Sequence, residues 1–189
     1  MDILKSIERL VISGIPNKSP ANCLINIQTD NVDYSWKLLA EKYVSKYIPK
    51  YIQEEFNKQN WRFYVVGYSL GKRFYMNQGY KCNGITDKNT KGIYIENRKT
   101  AMPAIPHEFG HYVDFYNNKS SQTAMFKQLY HKYANKFYLY YDLPKREQRV
   151  ALQEMYADCV GLYLCGKLSH FGELNAYIEL ELKKIESKK

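Results

Sequence analysis

The sequence predicts an α+β protein, with a helical start, a small β-sheet in the middle and a helical second half. Three observations carry that expectation. Apolar residues recur at helical spacing near both ends of the chain. Trp61–Tyr68 (WRFYVVGY) and Gly92–Glu96 (GIYIE) are rich in aromatic and β-branched residues, as strands are. Between them stand the turn formers Gly71, Asn77, Gly79, Asn83 and Gly84.

Taken in order, Ile3, Leu4, Ile7, Leu10 and Val11 predict a short amphipathic helix that Gly14 and Pro16 stop. Ala21–Thr29 reads as a strand. Asp30 or Asp33 then caps a helix with Trp36, Leu39, Tyr43, Val44, Tyr47 and Ile48 on one side. Pro49 splits that helix before Tyr51–Phe56. The two central strands follow. After Pro103 and Pro106 the pattern predicts helices at 106–117, 121–140, 147–165 and 171–187. There is no internal repeat, low-complexity segment or linker. The expected organisation is a helical portion, 1–60, packed on a core of residues 61–189, in all one domain.

The chain has 189 residues and a formal charge of +9. Lysine supplies 22 of its 28 basic residues, scattered along the sequence, without an arginine-rich patch or a DNA-binding signature. No specific nucleic-acid site is expected. No apolar run reaches the roughly 18–20 residues of a membrane span. Asp2, Lys5, Glu8 and Arg9 interrupt what a signal peptide would keep apolar, so a cytoplasmic location is expected. Cys23, Cys82, Cys159 and Cys165 show no C-x-x-C pairing and are expected to be reduced.

The informative stretch is Pro106-His107-Glu108-Phe109-Gly110-His111-Tyr112-Val113-Asp114. It holds His-Glu-x-x-His inside a segment that is helical on other grounds. Pro106 suits a first helical turn, and Asn117–Asn118 can end the helix. Histidines four apart lie one above the other, so both can reach one metal ion. Glu108 projects from the same side, displaced toward a metal-bound water. With four His and 12 Glu in the chain, chance rarely assembles this pattern. The alternative is a helix whose histidines merely face solvent. Gly110 argues against it, because a mid-helix glycine costs about 1 kcal/mol relative to Ala and needs a local reason, such as a close neighbouring helix.

A catalytic zinc takes three protein ligands. The metzincin pattern would put a third His at position 117, which is Asn. The third ligand is therefore sought among carboxylates on another helix. Gln153-Glu154-Met155-Tyr156-Ala157-Asp158 supplies Glu154 and Asp158 on one face, with small Ala157 to let two helices approach. Glu154 can bind the metal while Asp158 accepts the far N–H of a ligand histidine. A solvated acidic face is the bland alternative, weightier for Asp158 than for Glu154.

HEFGHYVD followed by QEMYADCVGLYL resembles the gluzincin metallopeptidases, and within them the family of the anthrax lethal factor catalytic domain and the Pro-Pro endopeptidases. The resemblance covers roughly Trp61 to Gly166. It implies a zincin-like fold, a mixed sheet with an edge strand above an active-site helix, and zinc-dependent hydrolysis of a protein or peptide substrate. His107, His111 and Glu154 match the zinc ligands, Glu108 the base, and Asp158 the supporting acid. Gly84–Thr86 and Gly92–Glu96 match the glycine-bearing loop and the edge strand, so Ile93, Tyr94, Ile95 and Glu96 are the expected substrate-pairing residues. The family's oxyanion-supporting Tyr falls at Glu147, which leaves Tyr140, Tyr141 or His131 as substitutes. Two other readings stay open: a cytoplasmic peptidase that cleaves a repressor of a mobile element, and a retired zincin-like fold that serves as a binding module.

Overall fold

The computed structural model describes residues 23–75, 82–137 and 148–187. The expected helix at 3–12 lies outside them, as do Tyr140, Tyr141 and Glu147. The described chain is α+β: β1 (Ile27–Asp30), α1 (Tyr34–Tyr47), α2 (Lys50–Lys58), β2 (Arg62–Val66), α3 (Leu70–Tyr75), β3 (Gly84–Asp87), β4 (Gly92–Glu96), α4 (Ile105–Tyr116), α5 (Ala124–Tyr133), α6 (Gln148–Leu164) and α7 (Gly172–Glu186). Short 3-10 turns precede α4 and flank α5. Its residues group into two compact units, and the division falls inside α4, between Glu108 and Phe109.

In the first unit, α1 starts where its cap predicts, the Asp33 carboxylate accepting from the Ser35 N–H. Pro49 divides α1 from α2, because proline cannot donate the next helical bond. These two helices make the crossover that lets β1 and β2 run parallel. α1 packs on both strands. Inside lie Leu39, Val44, Ile52 and Phe56 from the helices, and Ile27, Phe63, Val65, Ile93 and Ile95 from the sheet, all buried. Gly71, expected in a turn, sits in the short helix α3.

The mixed sheet has the order β1-β2-β4-β3, with β2 and β4 parallel and β3 and β4 antiparallel. This order corrects the expectation that Gly92–Glu96 is an edge strand. β4 is internal: Ile93, Tyr94 and Ile95 pair with β2 on one side and β3 on the other. Their side chains are engaged too. Ile93 and Ile95 are buried core, and Tyr94 stacks on Tyr64 with centroids 4.9 Å apart. Glu96 accepts from the Leu70 N–H at the start of α3 and pairs with Arg98 at 2.9 Å. A strand bonded on both sides has no backbone left to offer a peptide, so these four residues do not form the expected pairing surface. The outer strand on that side is β3.

In the second unit, α5 is shorter than the expected 121–140: it ends at Tyr133, and a 3-10 turn covers Ala134–Lys136. Buried Tyr112, Val113, Phe126, Met155, Tyr156, Val160, Ile178 and Leu182 make the core. Asn118 ends α4 in the left-handed conformation that Asn tolerates (φ 57°). The turn beyond is fixed by buried polar groups. Glu181 of α7 accepts from Asn117 and Ser120, and Tyr177 donates to the Ser120 carbonyl at 3.0 Å. The four cysteines form no disulfide. Among the described residues no helix is long and apolar enough to cross a membrane.

Candidate metal centre

The His-Glu-x-x-His segment forms the first two turns of α4. Its two histidines share a helix face, one turn apart, as 3.6 residues per turn requires. α6 adds the third group. His107, His111 and Glu154, each half-buried, offer ligand atoms that all lie within 4.8 Å of one another. Among the described residues this is the one such group of three or more His, Cys, Asp or Glu.

His111 Nε2 and Glu154 Oε1 lie 3.5 Å apart. That is long for a hydrogen bond, whose N···O distance is about 2.7–3.2 Å. It is close to the roughly 3.4 Å that separates two ligands placed tetrahedrally around a zinc ion with bonds of about 2.1 Å. Two imidazoles and a carboxylate are also a donor set that zinc takes in catalytic sites. The residues present therefore fit a metal ion.

Gly110 and Ala157 bring the two helices together. A Cβ built on Gly110 would stand 2.6 Å from both the Cα and the carbonyl oxygen of Ala157. Only glycine permits that approach, which is the local reason the mid-helix glycine requires. The contact sits next to His111 on α4 and one turn beyond Glu154 on α6. Asp158 follows Ala157, half-buried.

Two further carboxylates shape α4. Glu108, only 4% exposed, faces β3. The Thr86 hydroxyl lies 2.7 Å from its Oε2, and a Cβ on Gly84 would reach within 2.7 Å of its Cγ and Oε1. Asp114, 1% exposed, accepts from the Ser121 N–H at 2.7 Å and from its hydroxyl at 2.8 Å. Burial pushes the Asp114 pKa up, against the pull of both Ser121 bonds and of His111. Neither Thr86 nor Ser121 carries a signal in the sequence, because each meets its carboxylate only through the folded chain. His131 sits exposed on α5, its ring against Tyr130.

Comparison with protein-family models gives no match, and a search of curated proteins finds no relative.

Proposed function

We propose that this chain is a zinc-dependent peptidase of gluzincin type, with His107, His111 and Glu154 as the metal ligands. The observation that carries the reading is the convergence of these three groups from α4 and α6, with the His111–Glu154 spacing of 3.5 Å. Zinc in such a set supplies Lewis acidity toward a carbonyl oxygen and toward water.

The protein's own groups do the rest. Glu108 follows the first ligand on α4, and its carboxylate takes the proton of the attacking water and passes it to the leaving amine. Its burial keeps that carboxylate out of bulk solvent, where a fixed orientation is worth most. Asp158 accepts the far N–H of a ligand imidazole and so holds its tautomer. An extended substrate adds to the outer strand β3, whose Thr86 touches Glu108 and so sets the backbone near the base.

The test is hydrolysis of a pool of internally quenched peptides by the zinc-reconstituted chain at neutral pH. Cleavage that chelator removes and that Glu108→Gln lacks is the expected result. A chain that holds zinc but cleaves nothing in the pool is better explained as a zincin-like binding module.

A further inference from the structure

Glu108 is held by two residues of one strand. Gly84 and Thr86 are two apart on β3 and therefore project to the same face. The Thr86 Oγ1 lies 2.7 Å from Glu108 Oε2 and 2.9 Å from the Glu108 carbonyl oxygen. The hydroxyl has one proton to give. The contact to Oε2 is the shorter of the two, so the proton goes there. On the other side, the missing side chain of Gly84 makes room for Cγ and Oε1, which a Cβ would approach to 2.7 Å.

The last torsion of a glutamate side chain is broad and roughly two-fold. A carboxylate meant to shuttle a proton therefore needs something besides its own rotamer to fix its plane. We propose that Thr86 is a positioning residue for Glu108: its hydroxyl occupies Oε2, Gly84 leaves space for the other oxygen, and Oε1 is thereby the oxygen that carries the proton. This rests on the peptidase reading and names the group that aims its base. Thr86 acts through Glu108, by the contact to its Oε2.

A threonine that only satisfies a buried carboxylate would affect stability when replaced, and a positioning threonine affects turnover. Thr86→Val keeps the shape and removes the donor, Thr86→Ser keeps the donor, and Gly84→Ala presses on the carboxylate from the opposite side. Each full-length variant is loaded with zinc and assayed on the fastest-cleaved peptide of the quenched pool, and Thr86→Val is also crystallised beside the parent chain. The expected result is a fall in kcat of about 10- to 100-fold in Thr86→Val. KM and zinc content stay unchanged, Thr86→Ser restores most of the rate, and Gly84→Ala loses rate as Val does. In the Thr86→Val crystal the Glu108 carboxylate is rotated or takes two orientations. A kcat that Thr86→Val leaves within about twofold of the parent overturns the inference. So does an unchanged Glu108 carboxylate in that crystal. If the parent chain cleaves no peptide, the peptidase reading falls by itself. The crystal comparison then decides the positioning contact alone, upheld by a reoriented carboxylate and overturned by an unchanged one.

Discussion

The Cα of Gly110 faces the backbone of Ala157 so closely that a methyl group between them would lie 2.6 Å from the Ala157 Cα and carbonyl oxygen. The obstacle is main chain, which cannot swing aside as a long side chain can. Gly110→Ala should therefore destabilise the protein by about 1–3 kcal/mol through overpacking, more than the roughly 1 kcal/mol that alanine returns in helix propensity. Thermal unfolding checks this, at about 2–4 °C per kcal/mol for a chain of this size. An unchanged or raised Tm would show that α4 and α6 are not in backbone contact at this point. The same variant should weaken zinc binding, because His111 and Glu154 flank the contact.

Replacing Glu108 by Gln removes the proton acceptor and keeps the size of the side chain. Turnover should fall by at least about 100-fold while zinc stays bound. Parallel measurement of peptide cleavage and zinc content separates the two effects. Zinc lost with the activity would make Glu108 a ligand and not a base.

The Asp114 carboxylate accepts from the buried Ser121 N–H at 2.7 Å. Asp114→Ala leaves that N–H dry and unpaired, a loss of about 1–3 kcal/mol. Denaturant unfolding should show the loss, and hydrogen exchange should place it in the turn after α4. A variant as stable as its parent would mean that water replaces the carboxylate.

Tyr177 gives a pH dependence. Burial raises its hydroxyl from the ordinary 10.0 to about 12. Between these values the folded chain holds a proton that the unfolded chain has released, so stability falls as pH rises. The contribution is fully present below about 10 and is lost through about 12. Unfolding of the parent and of Tyr177→Phe across this window should give a shallower decline in the variant. Fully buried Tyr156, raised in the same direction, keeps part of the slope. Parallel curves would place the titration elsewhere.

How much of this was legible in the sequence depends on how local the determinants are. The Asp33 cap, the break at Pro49, the strand Gly92–Glu96 and the helix of the His-Glu-x-x-His motif are set by neighbours in the chain, and each appears where the pattern predicts. Even the Gly110–Ala157 approach could be foreseen, because a helix-interior glycine on one segment and a small residue beside Glu154 on another ask for the same explanation. The order of the strands could not. β3 has only four residues, and Gly84 and Asp87 at its ends look like a turn; it is a strand because β4 pairs with it. The same pairing moves Gly92–Glu96 from the edge to the interior. The Thr86–Glu108 bond was invisible for a similar reason, as its partners are 22 residues apart and no periodicity links them.

The proposed function depends on the metal centre, and the decisive experiment is zinc analysis of protein purified without chelator, with Glu154→Ala and His111→Ala prepared alongside. The expected result is about one zinc per chain, retained on gel filtration, and much less in either variant. Absence of zinc after reconstitution at neutral pH, or equal zinc in parent and variants, would contradict it.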